Sequence, residues 1–204
     1  MTDVALFHSS LGVRPGITDA AVRLRAAGHR VLVVDQYEGQ VFDDYDQADR
    51  LVEHLGFPEL MHRAVQAVQD LADGFVAAGF SNGGGMAEYV ATQRPCSGVL
   101  MISGALPVRM LGVDAWPAGL PAQIHYTRDD PRRRQEWLDA LLAEINSAGA
   151  RVATFDYPGN GHLFTDPSLA VDYDEKATAL LWDRAATFCH APGAAVATPG
   201  GLSR

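Results

Sequence analysis

Six short apolar segments recur along the chain, and longer segments with other patterns lie between them. This alternation is typical of parallel strands that are joined by crossover helices. The apolar segments alternate only weakly with polar residues, as expected for a sheet covered on both faces. The sequence therefore predicts an α/β fold with a mostly parallel sheet. The predicted strands are Val4 to Phe7, Val31 to Asp35, Phe75 to Gly79, Val99 to Ile102, Gln123 to Tyr126 and Val152 to Tyr157.

Three of the intervening segments have apolar residues at helical spacing, so we expect each to bury one helix face against the sheet. They are Leu60, Met61, Ala64, Val65, Val68 and Leu71; Trp137, Leu138, Leu141, Leu142 and Ile145; and Ala177, Leu180, Leu181, Ala185 and Phe188. The Asp-rich stretch 37–50 and the stretch 107–121 are predicted to be loops. Without a visible repeat, we expect one domain over residues 1–190 and a disordered Ala/Gly/Pro tail over 191–204.

The bulk composition narrows the class of partner. The 204 residues carry a net charge of −9, which argues against a nucleic-acid partner. The densest basic run, Arg132 to Arg134, is interpreted as the solvated first turn of a helix. No apolar run approaches the roughly 18 residues of a membrane helix, so no membrane partner is expected. Cys96 and Cys189, without an export-type leader, are predicted to be free thiols in a reducing cytoplasm. The chain is expected to be a monomer or a homodimer.

The segment Gly79-Phe80-Ser81-Asn82-Gly83 follows an apolar strand and precedes a helix-like run from Gly84 to Ala91. A sharp strand-to-helix turn exposes a serine as a nucleophile, and its glycines let strand and helix pass closely. Ser81 is therefore the predicted nucleophile. The alternative is an ordinary Gly/Ser turn at the end of a strand.

A serine hydroxyl needs a base, and His162 is the best placed of the seven histidines. It follows the last predicted strand in a loop of small residues, which would let an imidazole reach over the strand ends. His8 and His125 lie at or near strands and are expected to be hydrogen-bonded structural residues. The other histidines are predicted on the surface or on helices: His29, His54, His62 and His190.

The carboxylate that orients the histidine should lie between Ser81 and His162 in the chain. It is expected at the end of the next-to-last predicted strand, because the histidine follows the last one. Asp129 and Asp130 both meet this requirement. Either could instead cap the helix that is predicted to start at Pro131. Spacing leaves the choice between the two open.

Two backbone N–H groups are expected to stabilise the oxyanion. One belongs to Asn82, at the start of the helix after the nucleophile. The other should come from the loop after the first strand, His8-Ser9-Ser10-Leu11-Gly12, where Ser10 or Leu11 would donate.

Together these segments resemble the dienelactone hydrolase family of α/β-hydrolases, over nearly the whole chain to about His190. The matching segments are Leu11-Gly12, Val34-Asp35-Gln36-Tyr37-Glu38-Gly39, the Ser81 turn, Gln123-Ile124-His125-Tyr126 before Asp130-Pro131, and Gly161-His162-Leu163-Phe164. The resemblance implies a compact α/β-hydrolase fold with about six to seven strands, helices on both faces and little or no lid. It also implies Asp130 as the acid, because a short loop into a helix follows the family's aspartate. The implied triad is Ser81, Asp130 and His162.

The chain departs from the pattern of that family at three positions. Founding members carry a cysteine where this chain has Ser81, and a glutamate that controls the thiol where this chain has Ser9. They also hold the carboxylate of the substrate with arginines, one of them four residues after the histidine, where this chain has Asp166. These differences shift the expected substrate from dienelactone to a more general ester.

The expected reaction is hydrolysis of a small-molecule ester or lactone through an acyl-enzyme, with no metal and no organic cofactor. A thioesterase, an amidase or another carboxylesterase would use the same triad. A ligand-binding protein that has kept the fold and lost turnover is the alternative from a different class. Four aromatic residues are candidates for the substrate pocket, each with core packing as the alternative: Phe42, Trp116, Tyr126 and Phe164.

Overall fold

The computed structural model describes residues 1–194, and it contains one six-stranded parallel sheet. The strands are β1 (Asp3–Phe7), β2 (Arg30–Val34), β3 (Phe75–Phe80), β4 (Cys96–Ile102), β5 (Ala122–Thr127) and β6 (Val152–Tyr157). They lie in the order β2-β1-β3-β4-β5-β6, and every neighbouring pair is parallel. All six predicted strands are present, and the predicted mostly parallel α/β fold is confirmed.

The segments between the strands are largely helical in the described part of the chain. The α-helices are α1 (Pro15–Ala26), α2 (Tyr45–Leu55), α3 (Phe57–Ala67), α4 (Asn82–Gln93), α5 (Gln135–Ser147) and α6 (Glu175–His190), and a short 3₁₀ helix spans Val108–Leu111. Most of the stretch predicted as a disordered tail, residues 195–204, lies outside the described residues, so that part stays a prediction.

Two apolar cores lie on opposite faces of the sheet. Helices α1 and α6 cover one face, and α3, α4 and α5 cover the other. In β1, Val4 and Leu6 belong to the core under α1 and α6, whereas Ala5 and Phe7 belong to the other core. Successive side chains of a strand point to opposite faces, so a strand covered on both faces is apolar throughout. This is why the strands show little alternation in the sequence.

The carboxyl ends of parallel strands meet at one edge of the sheet, which is where α/β proteins place their sites. In this chain the segments that follow β1, β3, β4, β5 and β6 gather at that edge. They contain the residues for which the sequence predicts chemistry.

The prediction of a loop over 37–50 was wrong for its last part, because α2 already begins at Tyr45. The side chain of Asp44 caps this helix by accepting the backbone N–H of Gln47 at 2.9 Å. Asp46 and Asp49, on this helix, are exposed to solvent. The acidic residues that indicated a loop therefore cap and solvate a helix.

Three smaller predictions also need correction. Helix α5 begins at Gln135, so Arg132 to Arg134 precede it and do not form its first turn. The 3₁₀ helix Val108–Leu111 interrupts the stretch that was predicted as a loop. Leu180 was assigned to a buried stripe but is 50% exposed, because it lies on the outer face of α6.

Within residues 1–194, no helix is both long enough and apolar enough to cross a membrane.

Candidate active site

Ser81 lies between the end of β3 and the first residue of α4. Its backbone angles are φ 51° and ψ −118°, in a region that residues other than glycine rarely adopt. Its N–H donates to the carbonyl of Ile102 at 2.8 Å, and its own carbonyl accepts the N–H of Gly84 at 2.8 Å. These two hydrogen bonds hold the serine in a strained conformation at the end of the strand.

The flanking glycines make this turn possible. A Cβ atom at Gly79 would overlap the carbonyl of Gly83, and a Cβ at Gly83 would overlap the carbonyl oxygens of Phe7 and His8. Any larger residue at either position would push α4 away from the strand ends. The glycine spacing in the sequence thus has a steric cause in the fold.

His162 contacts both Ser81 and Asp130. Its Nε2 lies 2.8 Å from Oγ of Ser81, and its Nδ1 lies 2.8 Å and 3.0 Å from Oδ2 and Oδ1 of Asp130. Because an ionised carboxylate only accepts hydrogen bonds, Nδ1 carries the proton and donates it to Asp130. In the neutral imidazole, Nε2 is then the unprotonated nitrogen, and it accepts the hydroxyl of Ser81. In this orientation the imidazole can take up the serine proton.

The two candidate acids occupy different environments. Asp130 is 6% exposed, contacts His162, and accepts the backbone N–H of Arg132 through Oδ1 at 2.8 Å. Asp129 is exposed, and its N–H donates to the carbonyl of Gly159 at 3.0 Å. The structure thus brings Asp130 to the histidine and leaves Asp129 in solvent, the choice implied by the family resemblance.

The loop that carries His162 is fixed from both sides. Thr127, at the end of β5, donates its hydroxyl to the carbonyl of Gly161 at 2.8 Å. On the other side, Asp172 accepts the N–H of Leu163 at 3.0 Å, and its carbonyl lies so close to Gly161 that a Cβ there would overlap it. The imidazole is therefore held by backbone contacts on both neighbouring residues.

Tyr45 packs beside the histidine, with ring centroids 6.2 Å apart. The guanidinium of Arg132 lies over the Tyr45 ring at 3.8 Å, within the range of a cation–π contact. Burial raises the pKa of Tyr45 to about 12, so the phenol stays neutral at ordinary pH. Tyr45 and Arg132 thus form one flank of the site.

The three predicted oxyanion donors differ in their hydrogen bonds and in their position relative to the cavity. Asn82 is the first residue of α4, and Ser10 lines the same cavity as Ser81 and His162. Leu11 is excluded, because its N–H donates to Oγ of Ser9 at 3.2 Å and does not face the cavity. Among the described residues, the N–H groups of Asn82 and Ser10 have no hydrogen-bond partner. Both remain free to meet a developing negative charge.

A cavity of about 280 Å³ opens beside Ser81 and His162. Its apolar wall consists of Val52, Phe57, Ala105, Leu106, Tyr126 and Trp137. Two arginines and one acid, Arg132, Arg134 and Asp49, line its polar side. The mixture of an apolar wall with a few polar groups is typical of a small-molecule site.

Of the four predicted pocket residues, Tyr126 lines this cavity and the other three do not. Trp116 is 3% exposed and donates its indole N–H to the carbonyl of Leu120 at 2.8 Å. Phe164 is fully buried against Tyr157, with ring centroids 5.2 Å apart, and Phe42 is partly buried and packs against residues of both cores. These three aromatic side chains stabilise the fold, which corrects the prediction.

Sequence reasoning missed several wall residues. Val52 and Phe57 lie on α2 and α3, and the first of these helices was hidden behind an apparent loop. Trp137 was assigned to core packing from its helical spacing, yet it is only partly buried and faces the cavity. A local signal was available for α2, since Asp44 stands directly before a series of apolar residues at helical spacing, namely Tyr45, Ala48, Leu51, Val52 and Leu55.

His125 is another buried histidine, and both of its ring nitrogens are hydrogen-bonded to side chains outside the triad. Its Nδ1 lies 2.9 Å from the hydroxyl of Tyr157, and its Nε2 lies 2.9 Å from Oε1 of Gln123. Complete burial lowers its pKa to about 3, so the ring is neutral. Within residues 1–194, no group of three or more His, Cys, Asp or Glu side chains is arranged to hold a metal ion.

The sheet order, the strained serine after β3, the acid after β5 and the histidine after β6 together define an α/β-hydrolase fold. The chain belongs to the dienelactone hydrolase family, whose family model matches residues 2–191. It is therefore a hydrolase by family. No match was found among curated proteins.

Solved structures with a similar fold include m3DLH, with a TM-score of 0.78 and 22% identity over 93% of this chain and 85% of that chain. A dienelactone hydrolase-like promiscuous phosphotriesterase from metagenomic libraries has a TM-score of 0.78 and 23% identity over 93% of this chain and 86% of that chain. A dienelactone hydrolase from Anabaena variabilis ATCC 29413 has a TM-score of 0.66 and 21% identity over 93% of this chain and 87% of that chain. At these identities the likeness concerns the fold.

Asp166 stands where founding members of the family carry a substrate-binding arginine. In this chain it is 4% exposed, and its Oδ2 lies 3.4 Å from Nε of the buried Arg14. Its Oδ1 accepts the N–H and the hydroxyl of Ser168 at 2.9 Å and 2.6 Å. The position therefore belongs to an internal ion pair outside the lining of the catalytic cavity.

Proposed function

We propose that this chain is a serine hydrolase that cleaves a small ester or lactone through an acyl-enzyme, with Ser81 as nucleophile, His162 as base and Asp130 as orienting acid. The observation that carries the proposal is the unbroken hydrogen-bonded series from Asp130 through His162 to Ser81, with contacts of 2.8 Å at both ends. The strained backbone of Ser81 and its place on the wall of a cavity support the same assignment.

In the proposed first step, Nε2 of His162 takes the hydroxyl proton as Oγ of Ser81 bonds to the substrate carbonyl carbon. The carbonyl π electrons move to oxygen, and the N–H groups of Asn82 and Ser10 stabilise that negative charge. The tetrahedral intermediate then collapses, the alkoxide leaves with the proton from His162, and the acyl group stays on Ser81. The carboxylate of Asp130 stabilises the imidazolium while it exists.

In the second step, His162 takes a proton from water, whose oxygen attacks the acyl carbon. Collapse of this intermediate returns the proton to Oγ of Ser81 and releases the carboxylic acid. For a lactone, the alcohol and the acid are parts of one product. No metal or organic cofactor takes part in this scheme.

The size of the cavity supports a small substrate. About 280 Å³ is just below the usual range of volumes for small-molecule sites. The connection from Ile102 to Ala122 contains one short 3₁₀ helix, which leaves little chain for a large lid. Short acyl esters and lactones should therefore be turned over faster than long-chain triglycerides, and the reverse preference would contradict the proposal.

The proposed location of this activity is the cytoplasm. Cys96 and Cys189 are unpaired, and burial raises the pKa of both thiols to about 12. Free cysteines fit a reducing compartment, where disulfides are rare.

The test is a panel of p-nitrophenyl esters, lactones and thioesters, assayed with the wild type and with Ser81→Ala. We expect hydrolysis of at least one short ester or lactone, and a loss of about 10³-fold or more in kcat on Ser81→Ala. Mass spectrometry after treatment with a fluorophosphonate should find the label on Ser81. An unlabelled, folded wild type without turnover would instead favour a ligand-binding protein, and preferential thioester cleavage would favour a thioesterase on the same triad.

A further inference from the structure

His8 follows β1 and is buried behind the candidate oxyanion hole, with 1% of its surface exposed. Its Nδ1 lies 2.6 Å from the carbonyl oxygen of Ser9, and its Nε2 lies 3.1 Å from the backbone nitrogen of Gln36. Because the N–H of Gln36 can only donate, Nε2 is the unprotonated nitrogen. The hydrogen of the neutral ring therefore sits on Nδ1, which donates to Ser9.

The surroundings of the ring hold it in this orientation. Tyr37 packs edge-on against it, with ring centroids 4.5 Å apart and an angle of 65° between the planes. Asp35 lies 3.9 Å from Nε2, but its carboxylate accepts the N–H groups of Tyr37 and Gly39 at 2.9 Å and 2.6 Å. Burial lowers the pKa of His8, which favours the neutral ring.

The carbonyl of Ser9 accepts a second hydrogen bond, from the N–H of Gly12 at 3.1 Å. Two donors thus fix the direction of this C=O group. The Ser9–Ser10 peptide is trans, so the N–H of Ser10 points to the side opposite the carbonyl of Ser9. Ser10 lines the cavity that also contains Ser81 and His162.

We propose that His8 is a positioning residue of the oxyanion hole, whose Nδ1–H holds the Ser9–Ser10 peptide so that the Ser10 N–H faces the developing oxyanion. This inference rests on the proposed serine hydrolase mechanism and gives His8 a role in it without substrate contact. A preorganised donor stabilises the transition state more than one that must reorient during the reaction. Loss of the hydrogen bond from His8 to Ser9 should therefore lower kcat and leave KM nearly unchanged.

Two substitutions of His8 separate its two hydrogen bonds. In His8→Asn, the side-chain amide lies where Nδ1 lies, so a donor to Ser9 remains. In His8→Gln, the amide reaches the place of Nε2, so an acceptor for Gln36 remains but the donor to Ser9 is lost. We expect His8→Gln to lower kcat about 10- to 100-fold with KM changed less than about twofold, and His8→Asn to keep kcat within about threefold.

A boronic acid that forms a tetrahedral adduct with Ser81 provides a second measurement. Its affinity should fall with His8→Gln by about the same factor as kcat, because the adduct also needs the Ser10 N–H. His29→Gln is the matched control. His29 is also a buried histidine, but it directly precedes β2 and so lies at the amino ends of the strands, away from the site at their carboxyl ends. It should change the melting temperature without changing kcat.

Several outcomes would overturn the role of His8. These are equal losses of kcat in folded His8→Gln and His8→Asn, a loss confined to KM, or boronate affinity that does not change. Nitrogen-15 NMR of the wild type gives a test that needs no variant, since a hydrogen on Nε2 of His8 would contradict the proposal. A wild type whose Ser81 is not labelled by the fluorophosphonate would contradict the proposed function itself. A labelled wild type together with full kcat in His8→Gln would contradict only the role of His8.

Discussion

Glu88 accepts the backbone N–H of Leu106 through Oε1 at 3.0 Å, which joins the helix after the nucleophile to a wall of the catalytic cavity. The Glu88 side chain is fully buried, and among the described residues its Oε2 has no hydrogen-bond partner. Burial raises the pKa of this carboxyl well above its ordinary value, and the nearby charge of Glu144 acts in the same direction. The fold therefore favours the protonated form of Glu88.

This raised pKa makes stability depend on pH. Above about pH 4.3 the unfolded chain releases the Glu88 proton while the folded chain keeps it, so folding loses free energy as the pH rises toward the folded pKa. Glu88→Gln cannot ionise, and its amide oxygen can still accept the N–H of Leu106. We expect the variant to lose less stability than the wild type between about pH 5 and pH 8, measured by urea unfolding at both values. Equal losses would contradict this prediction.

The environments of Asp129 and Asp130 predict a large difference between two otherwise identical substitutions. Asp130→Asn should lower kcat about 10³- to 10⁴-fold, because an amide cannot hold the imidazole in the required tautomer. Asp129→Asn should leave kcat within about twofold, since that side chain is exposed. Steady-state kinetics on one p-nitrophenyl ester would measure both, and a larger loss for Asp129→Asn would reverse the assignment.

Two tryptophans of the chain should respond differently to removal. Trp137 lines the cavity, so Trp137→Ala should enlarge it and shift the preferred acyl chain to a greater length. Trp116 is buried away from the cavity, so Trp116→Ala should cost about 3–5 kcal/mol of unfolding free energy and leave the preference unchanged. Chain-length profiles and urea unfolding of both variants are the measurements. A profile that shifted only with Trp116→Ala would contradict the placement of both residues.

Arg14 connects three loops near the site. It donates to the carbonyl of Phe42 and to Asp43 at 2.6 Å each, donates to Ser168 at 2.9 Å, and lies 3.4 Å from Asp166. Arg14→Met would leave the buried Asp166 without its cation, which should cost about 3–5 kcal/mol of stability.

Two further variants test the cause of that loss. Addition of Asp166→Asn to Arg14→Met should recover part of the stability, because the uncompensated charge is then removed. Arg30→Met breaks an exposed ion pair with Asp3 and should change stability little. Urea unfolding would compare the variants, and a double variant less stable than Arg14→Met would show that the charge of Asp166 is not the cause.

Much of the fold could be predicted because its pattern is local. The apolar strands, the glycines around Ser81 and the small residues before His162 are each consequences of covalent geometry and burial within a few residues. Helix α2 was missed because acidic residues indicate a loop as readily as a capped, solvated helix face. Only contact of Val52 with the core and the cavity resolves that ambiguity.

The sequence by itself determined a parallel α/β sheet with Ser81 at a strained turn. Its spacing narrowed the acid to two adjacent aspartates, of which the family resemblance implied Asp130. The tertiary structure decided which aspartate faces His162, which amide of the loop after β1 is free, and which aromatic side chains line the cavity. The physical reason is that these depend on the direction of side chains and N–H groups from segments far apart in the chain. Trp116 and Trp137 carry the same side chain, and the sequence does not distinguish their roles. Only the packing places Trp116 in the core and Trp137 at the cavity.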